Sequence, residues 1–249
     1  MKILPFESSS NGNSTHIYTD KASILIDVGV SLKKIKEKTG RDTFDAIFIS
    51  HDHSDHIKSA GAAGRRFKCP MYMHPWVKTT MGDKLKNCKV LDHLPGADIV
   101  VGDLQIKSFS TKHDAKYTYG YVFTDLTKNK KFVHVTDTGI ITPLMVMHMK
   151  GADAYFMETD YDVKSLQDYE GYDDYLKERI ASAFGHLSND DAMAGLFNVG
   201  VDLTEFIIFG HLSSRTNSPE LVKEAAYKTF PLYDKNKFYI APLDKAVEL

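Results

Sequence analysis

The chain has 249 residues, 43% of them hydrophobic and 26% charged, with a formal net charge of -2. That length supports a sizeable buried core, while no apolar run approaches the roughly 18 residues of a membrane span or follows Met1 as a signal peptide would, so a cytoplasmic protein without membrane attachment is expected. The charge balance lacks the basic excess of a dedicated nucleic-acid binder and favours a small or locally gripped substrate.

In chain order, strands are predicted over 2–7, 15–19 and 23–27, separated by turn chemistry at residues 8–13 and 19–21. A short helix over 32–38 stops near Gly40, and a buried strand over 45–50 follows. Strands over 104–109, 117–124 and 131–136 continue the β-rich pattern, in which Tyr117, Tyr119 and Tyr121 alternate as core or dimer contacts or as a base-stacking face. The second half alternates helices with strands. Helices fall at 143–149, 165–184, 189–198 and 219–229, and strands at 154–158, 205–209 and 238–240. Ser188 and Ser218 suit N-caps. Cys69 and Cys88 lie outside any CxxC spacing and read as reduced thiols. No repeat, linker or low-complexity segment interrupts residues 1–249, so one α/β domain is expected.

Each chemically interesting cluster follows the C-terminal end of a strand, the edge where layered α/β folds gather ligands. The strand over 45–50 runs straight into His51, Asp52, His53, Ser54, Asp55 and His56, an HxHxDH arrangement. Imidazoles and carboxylates at that spacing suit zinc, manganese or iron, and a pair of cations needs a bridging carboxylate and further histidines. His113, Asp137 and His211, each at another strand end, supply them. A lone HxH is more often surface than site; the whole set points to a metal centre. Asp27, before Gly29, is either a turn residue or a hydrogen-bonding support for the ligand loop. His134 sits mid-strand and reads as a packed or surface side chain.

The segments DVG, HDHSDH, His113, TDTG and GHLS resemble the metallo-β-lactamase fold superfamily in the same order across nearly the whole chain. That resemblance implies a four-layer αββα sandwich. It implies His51, His53 and His113 on a first divalent metal, Asp55, His56 and His211 on a second, and Asp137 between them. Glu158 at a strand end, then His186 in GHLSNDDA, then His211, Ser213 and Arg215 are similar to tRNase Z-like phosphodiesterases, in which the corresponding Glu and His handle the leaving group. FESSSNGNST, LIDVG, SHDHSDHIKSAG, KGADAYFMETDYD, the arginine before GHLSNDDA and GHLSS look like WalJ/YycJ-type exonucleases. That implies action on DNA ends and a homodimer. SSSNGN departs from the usual SGSxGN, and ETDYD from ESNxD.

Expelling a poor alkoxide needs an acid, so His186 supported by Glu158 is expected to protonate the leaving oxygen, Asp55 to orient or deprotonate water, and Arg215 with Ser213 to hold phosphate. The rival substrate is a cyclic nucleotide, as degraded by some phage proteins of similar fold. A thioester or lactone hydrolase would keep the ligands but gain nothing from Glu158 and His186.

Overall fold

The computed structural model describes residues 1–201 and 203–249. The chain opens with β1 (Lys2–Ser9), β2 (Gly12–Tyr18) and β3 (Ser23–Ile26), then crosses through α1 (Leu32–Thr39) to β4 (Ala46–Phe48). Helices α2 (Ser54–Ile57) and α3 (Ala60–Phe67) lead to β5 (Met71–Met73), and α4 (Pro75–Met81) to β6 (Val90–Asp92). A meander of β7 (Ile99–Val101), β8 (Leu104–Ser110), β9 (Tyr119–Asp125) and β10 (Lys130–Val135) follows. Then come α5 (Pro143–Met149), β11 (Ala154–Glu158), α6 (Val163–Asp168), α7 (Asp174–Ile180) and α8 (Asn189–Val199). The chain ends with β12 (Phe206–Gly210), α9 (Pro219–Thr229), β13 (Phe238–Ile240) and β14 (Val247–Glu248).

Two seven-stranded sheets result, ordered β14-β1-β2-β3-β4-β5-β6 and β13-β12-β11-β10-β9-β8-β7. Pairing is parallel from β3 to β6 and from β10 to β13, and antiparallel elsewhere. The parallel strands read as continuous apolar runs because both faces are covered: Ala46, Ile47 and Phe48 are all fully buried.

Three apolar layers make the expected αββα sandwich. Ile17, Ile24 and Phe48 of one sheet meet Phe123, Phe132, Phe156 and Ile208 of the other in the central layer. Ile35, Ala63 and Val77 carry α1, α3 and α4 onto Leu25, Ile47 and Met71. Met145, Leu196 and Val222 carry α5, α8 and α9 onto Val133, Tyr155 and Ile207. Helix α3 is built of small residues so that it can lie close: a Cβ on Gly64 would come within 2.5 Å of the Met71 sulfur.

Two expectations change. The helix over 165–184 is two helices, α6 and α7, because Gly171 lies in the break and the Asp173 side chain caps α7 by accepting from Leu176 N at 2.8 Å. The strand expected from 117 begins at Tyr119, so Tyr119 and Tyr121 are buried between the sheets while Tyr117 stays outside on the surface. His134 is buried too, stacked on Phe156 with ring centroids 4.5 Å apart, and burial pulls its pKa down to about 3.

One buried hydrogen bond ties the central layer to the ligand loop: the Tyr121 hydroxyl donates to the carbonyl of Ile49 at 2.8 Å, just before His51. Tyr121→Phe keeps the ring and removes the donor, so it is expected to cost about 1–2 kcal/mol of unfolding free energy in urea titrations. An unchanged midpoint would contradict that role.

Candidate active site

The ends of β3, β4, β8, β10, β11 and β12 deliver Asp27, the HDHSDH loop, His113, Asp137, Glu158 and His211 to one place. Three of these residues, Asp27, Asp137 and His211, adopt left-handed backbone conformations with φ of 56°, 57° and 56°. Such conformations are disfavoured for residues with a Cβ and persist where surrounding contacts over-determine them. Here they turn each side chain back across the sheet edge as its strand ends.

Potential ligand atoms form overlapping groups, each within 4.8 Å: His51, His53 and His113; His51, His56 and Asp137; Asp55, His56 and His211; and Asp137, Glu158, His186 and His211. Asp137 links the foci, with Oδ2 3.2 Å from His56 Nε2 and Oδ1 3.5 Å from His211 Nε2 and 3.8 Å from His113 Nε2. Ligands about 2.1 Å from one tetrahedral ion stand about 3.4 Å apart, so this spacing suits a shared cation better than direct hydrogen bonds. His51 Nε2, Asp137 Oδ2 and His211 Nε2 are buried with no hydrogen-bond partner. Unpaired buried polar atoms are costly, and three of them within these overlapping groups fit divalent-metal coordination.

The opposite ring nitrogens are held by protein. Asp27 Oδ1 accepts from Ser50 N at 2.8 Å, and Oδ2 accepts from Ser50 Oγ at 2.8 Å and from His56 Nδ1 at 2.7 Å. His51 Nδ1 donates to Ser50 Oγ at 2.9 Å, and His113 Nδ1 to the carbonyl of Gly185 at 2.8 Å. With Nδ1 donating, Nε2 of each ring keeps its lone pair for the centre.

The electrostatics follow from this packing. Burial works to raise Asp55 and Asp137, yet the surrounding histidines hold both carboxyls well below the usual range. Burial pulls His56 down, but Asp137 and Asp27 outweigh it and push its pKa up to about 10, a proton that a bound cation would replace. Burial and neighbouring histidines hold His51 well below its ordinary value, as a neutral ligand requires.

Beside this cluster His186 donates Nδ1–H to Glu158 Oε1 at 2.7 Å, and Glu158 Oε2 accepts from Thr138 N at 2.9 Å. Burial opposes protonation of His186, but Glu158 overcomes it and raises the pKa to about 9. His186, His211 and Ser213 line a cavity of about 190 Å³ whose far wall is Tyr172, Leu176, Arg179 and Ile180. Larger hollows near Phe197 and Leu232, and near Pro75 and Asp92, bring no histidine among the described residues. Arg215 is not among the cavity's lining residues; it is exposed and donates to the Tyr169 hydroxyl at 2.8 Å.

Several contributors escape sequence reasoning. Asn13 donates Nδ2–H to Asp55 Oδ2 at 3.0 Å, and Ser8 Oγ accepts from His211 N at 2.7 Å; both come from the FESSSNGN stretch. Gly29 packs so tightly that a Cβ there would lie 1.5 Å from the Asp55 carbonyl oxygen. Asp114 Oδ1 sits 3.3 Å from both His53 Nε2 and His113 Nε2, and its Oδ2 accepts from Arg179 Nε at 2.8 Å. Asp160, in the ETD stretch, also lines the cavity, and burial pushes its carboxyl up to about 6.

Residues 23–209 match the β-lactamase superfamily domain. The chain belongs to that family. It is accordingly a metal-dependent hydrolase. It is 34% identical over 236 residues to Exodeoxyribonuclease WalJ of Streptococcus pneumoniae, covering 89% of this chain and 84% of that one. It is 31% identical over 234 residues to Exodeoxyribonuclease YycJ of Bacillus anthracis, covering 87% and 84%. Among solved structures, the metallo-β-lactamase fold protein YhfI from Bacillus subtilis superposes with a TM-score of 0.75 at 19% identity, covering 96% of this chain and 95% of that one, a likeness of fold.

Asp27→Ala removes the shared acceptor of Ser50 and His56. Divalent-metal affinity in chelator competition is expected to fall roughly 10–100-fold, the usual effect of losing such a support. Undiminished affinity in the folded variant would contradict the role assigned to Asp27.

Proposed function

We propose that this chain is a two-metal phosphodiesterase, binding zinc or manganese, that removes nucleotides from DNA ends. The observation that carries the proposal is His186, held by Glu158, facing the same small cavity as the candidate ligand His211. His51, His53 and His113 would hold one cation, Asp55, His56 and His211 the other, with Asp137 between them. Bound there, the cations would polarise the phosphoryl oxygens and lower the pKa of water.

The protein's own groups do the rest. Asn13 holds Asp55 Oδ2, so that the carboxylate is oriented to position the attacking water or to take its proton. Glu158 locks His186 Nδ1, leaving Nε2 to protonate the departing alkoxide. A carboxylate beside the imidazole keeps that proton available at neutral pH. Ser213 can bind a phosphate oxygen from the cavity wall.

The cavity, about 190 Å³, is smaller than the roughly 300–1,000 Å³ of usual small-molecule sites and is bounded on one side by α7. Such a space suits the terminal phosphate and sugar of a longer strand. Two relatives at 34% and 31% identity named as exodeoxyribonucleases support the same reading. A cyclic nucleotide is the second reading, favoured by the net charge of -2. Steep loss of binding with salt separates DNA from that smaller ligand.

His186→Ala is expected to slow DNA hydrolysis by about 10²–10⁴-fold while largely sparing a nitrophenyl phosphodiester, whose leaving group needs little protonation. Steady-state rates on the two substrates test this. Equal loss on both would remove the general-acid role, and a thioester or lactone hydrolase would show no selective loss.

A further inference from the structure

Two lysine–aromatic pairs bracket the His113 loop. Lys116 Nζ lies 3.6 Å above the Trp76 ring and 5.9 Å from the Tyr117 ring, and Lys112 Nζ lies 5.9 Å above the Phe184 ring. All three rings are partly open to solvent, at 36% for Trp76, 40% for Tyr117 and 56% for Phe184. Their placement is tied to the site. Phe184 directly precedes Gly185 and His186 of the cavity wall, and the Gly185 carbonyl holds His113. On the other side, α4 is joined to the ligand loop where Thr80 Oγ1 donates to Asp52 Oδ2 at 3.3 Å.

The ledge is also preorganised. The Tyr117 ring stacks on His74 with centroids 3.7 Å apart and an interplanar angle of 16°, and His74 Nδ1 accepts from Trp76 N at 2.9 Å as the cap of α4. Neither Lys112 nor Lys116 makes an ion pair among the described residues. Ammonium groups beside partly exposed aromatic faces combine the two elements that grip an unpaired strand: cations for phosphates and π-faces for bases. Inside a duplex the bases are stacked on one another, so only an unpaired strand offers several base faces to the rings.

We propose that Trp76, Tyr117 and Phe184, with Lys112 and Lys116, form a stacking ledge that binds the unpaired bases of a nucleic-acid strand next to the end being cleaved. This rests on the phosphodiesterase reading and adds the strandedness of its substrate. It also reconciles a net charge of -2 with a polyanionic ligand, because the grip is local and stacking supplies part of it.

The test uses the metal-loaded full chain and single strands of about 12 nucleotides, within the length such surfaces cover. The strands carry phosphorothioate linkages to slow hydrolysis, and binding is followed by fluorescence anisotropy. The base-bearing strand is expected to bind roughly tenfold or more tightly than an abasic strand of equal length and than a blunt duplex. Combined Trp76→Ala and Tyr117→Ala should abolish the preference over the abasic strand, and Trp76→Phe with Tyr117→Phe should restore it. Phe184→Ala should weaken the base-bearing strand selectively. Equal binding of base-bearing and abasic strands by the unaltered protein would overturn the ledge, as would an unchanged preference in the double alanine variant. If ordinary DNA ends are still hydrolysed in either case, only the ledge fails. If no nucleic acid is cleaved at all, the DNA-end reading of the site fails and the ledge with it.

Discussion

A single buried carboxylate governs the geometry of the centre. Asp27 is almost wholly removed from water, so its oxygens must be met by protein donors. They are met by Ser50 and His56, the residues that bracket the HDHSDH loop. Satisfying Asp27 therefore fixes where that loop leaves β4, which nitrogen of His56 faces inward and, through Ser50, which nitrogen of His51 does so. The positive φ of Asp27 and the absence of a side chain at Gly29 belong to the same arrangement, since the Asp55 backbone occupies the space a Cβ would need.

The second sheet supplies the complementary half. Asp137, Glu158 and His211 arrive on β10, β11 and β12, and the central apolar layer sets how closely they approach the loop from β4. Orphaned buried atoms and left-handed backbone at Asp137 and His211 are locally unfavourable, and they persist because packed aromatic side chains hold both sheet edges in place. Stability and reactivity are thus divided between the layers: Phe123, Phe132 and Phe156 hold the sheets, while the edge carries charge and strain.

Much of this is legible in the chain itself. HDHSDH announces itself because metal chemistry concentrates unusual residues in a short span, and the family resemblance carried by the order of strand-end motifs implies the αββα frame. What stays hidden acts through space. Asp114 and Arg179 lie 65 positions apart, and only the fold lays that pair against His53 and His113. Asn13 reaches Asp55 across 42 positions. Arg215 has the residue type of a phosphate clamp but spends its guanidinium on Tyr169 at the surface. Strands such as β5, β6 and β7, three residues each, are too short to display a period of two. The break between α6 and α7 carried local signals, Gly171 and a capping Asp173, that a polar helical pattern outweighed.

The small cavity lies between α7 on one side and the loops that carry His186 and His211 on the other. The most direct test is a titration of the metal-free chain with manganese while the products of DNA hydrolysis are resolved by length. Hydrolysis that rises to a plateau at two cations per chain and releases nucleotides successively from an end is the expected result. A plateau at one cation, or products that begin with internal cuts, would contradict the proposed site.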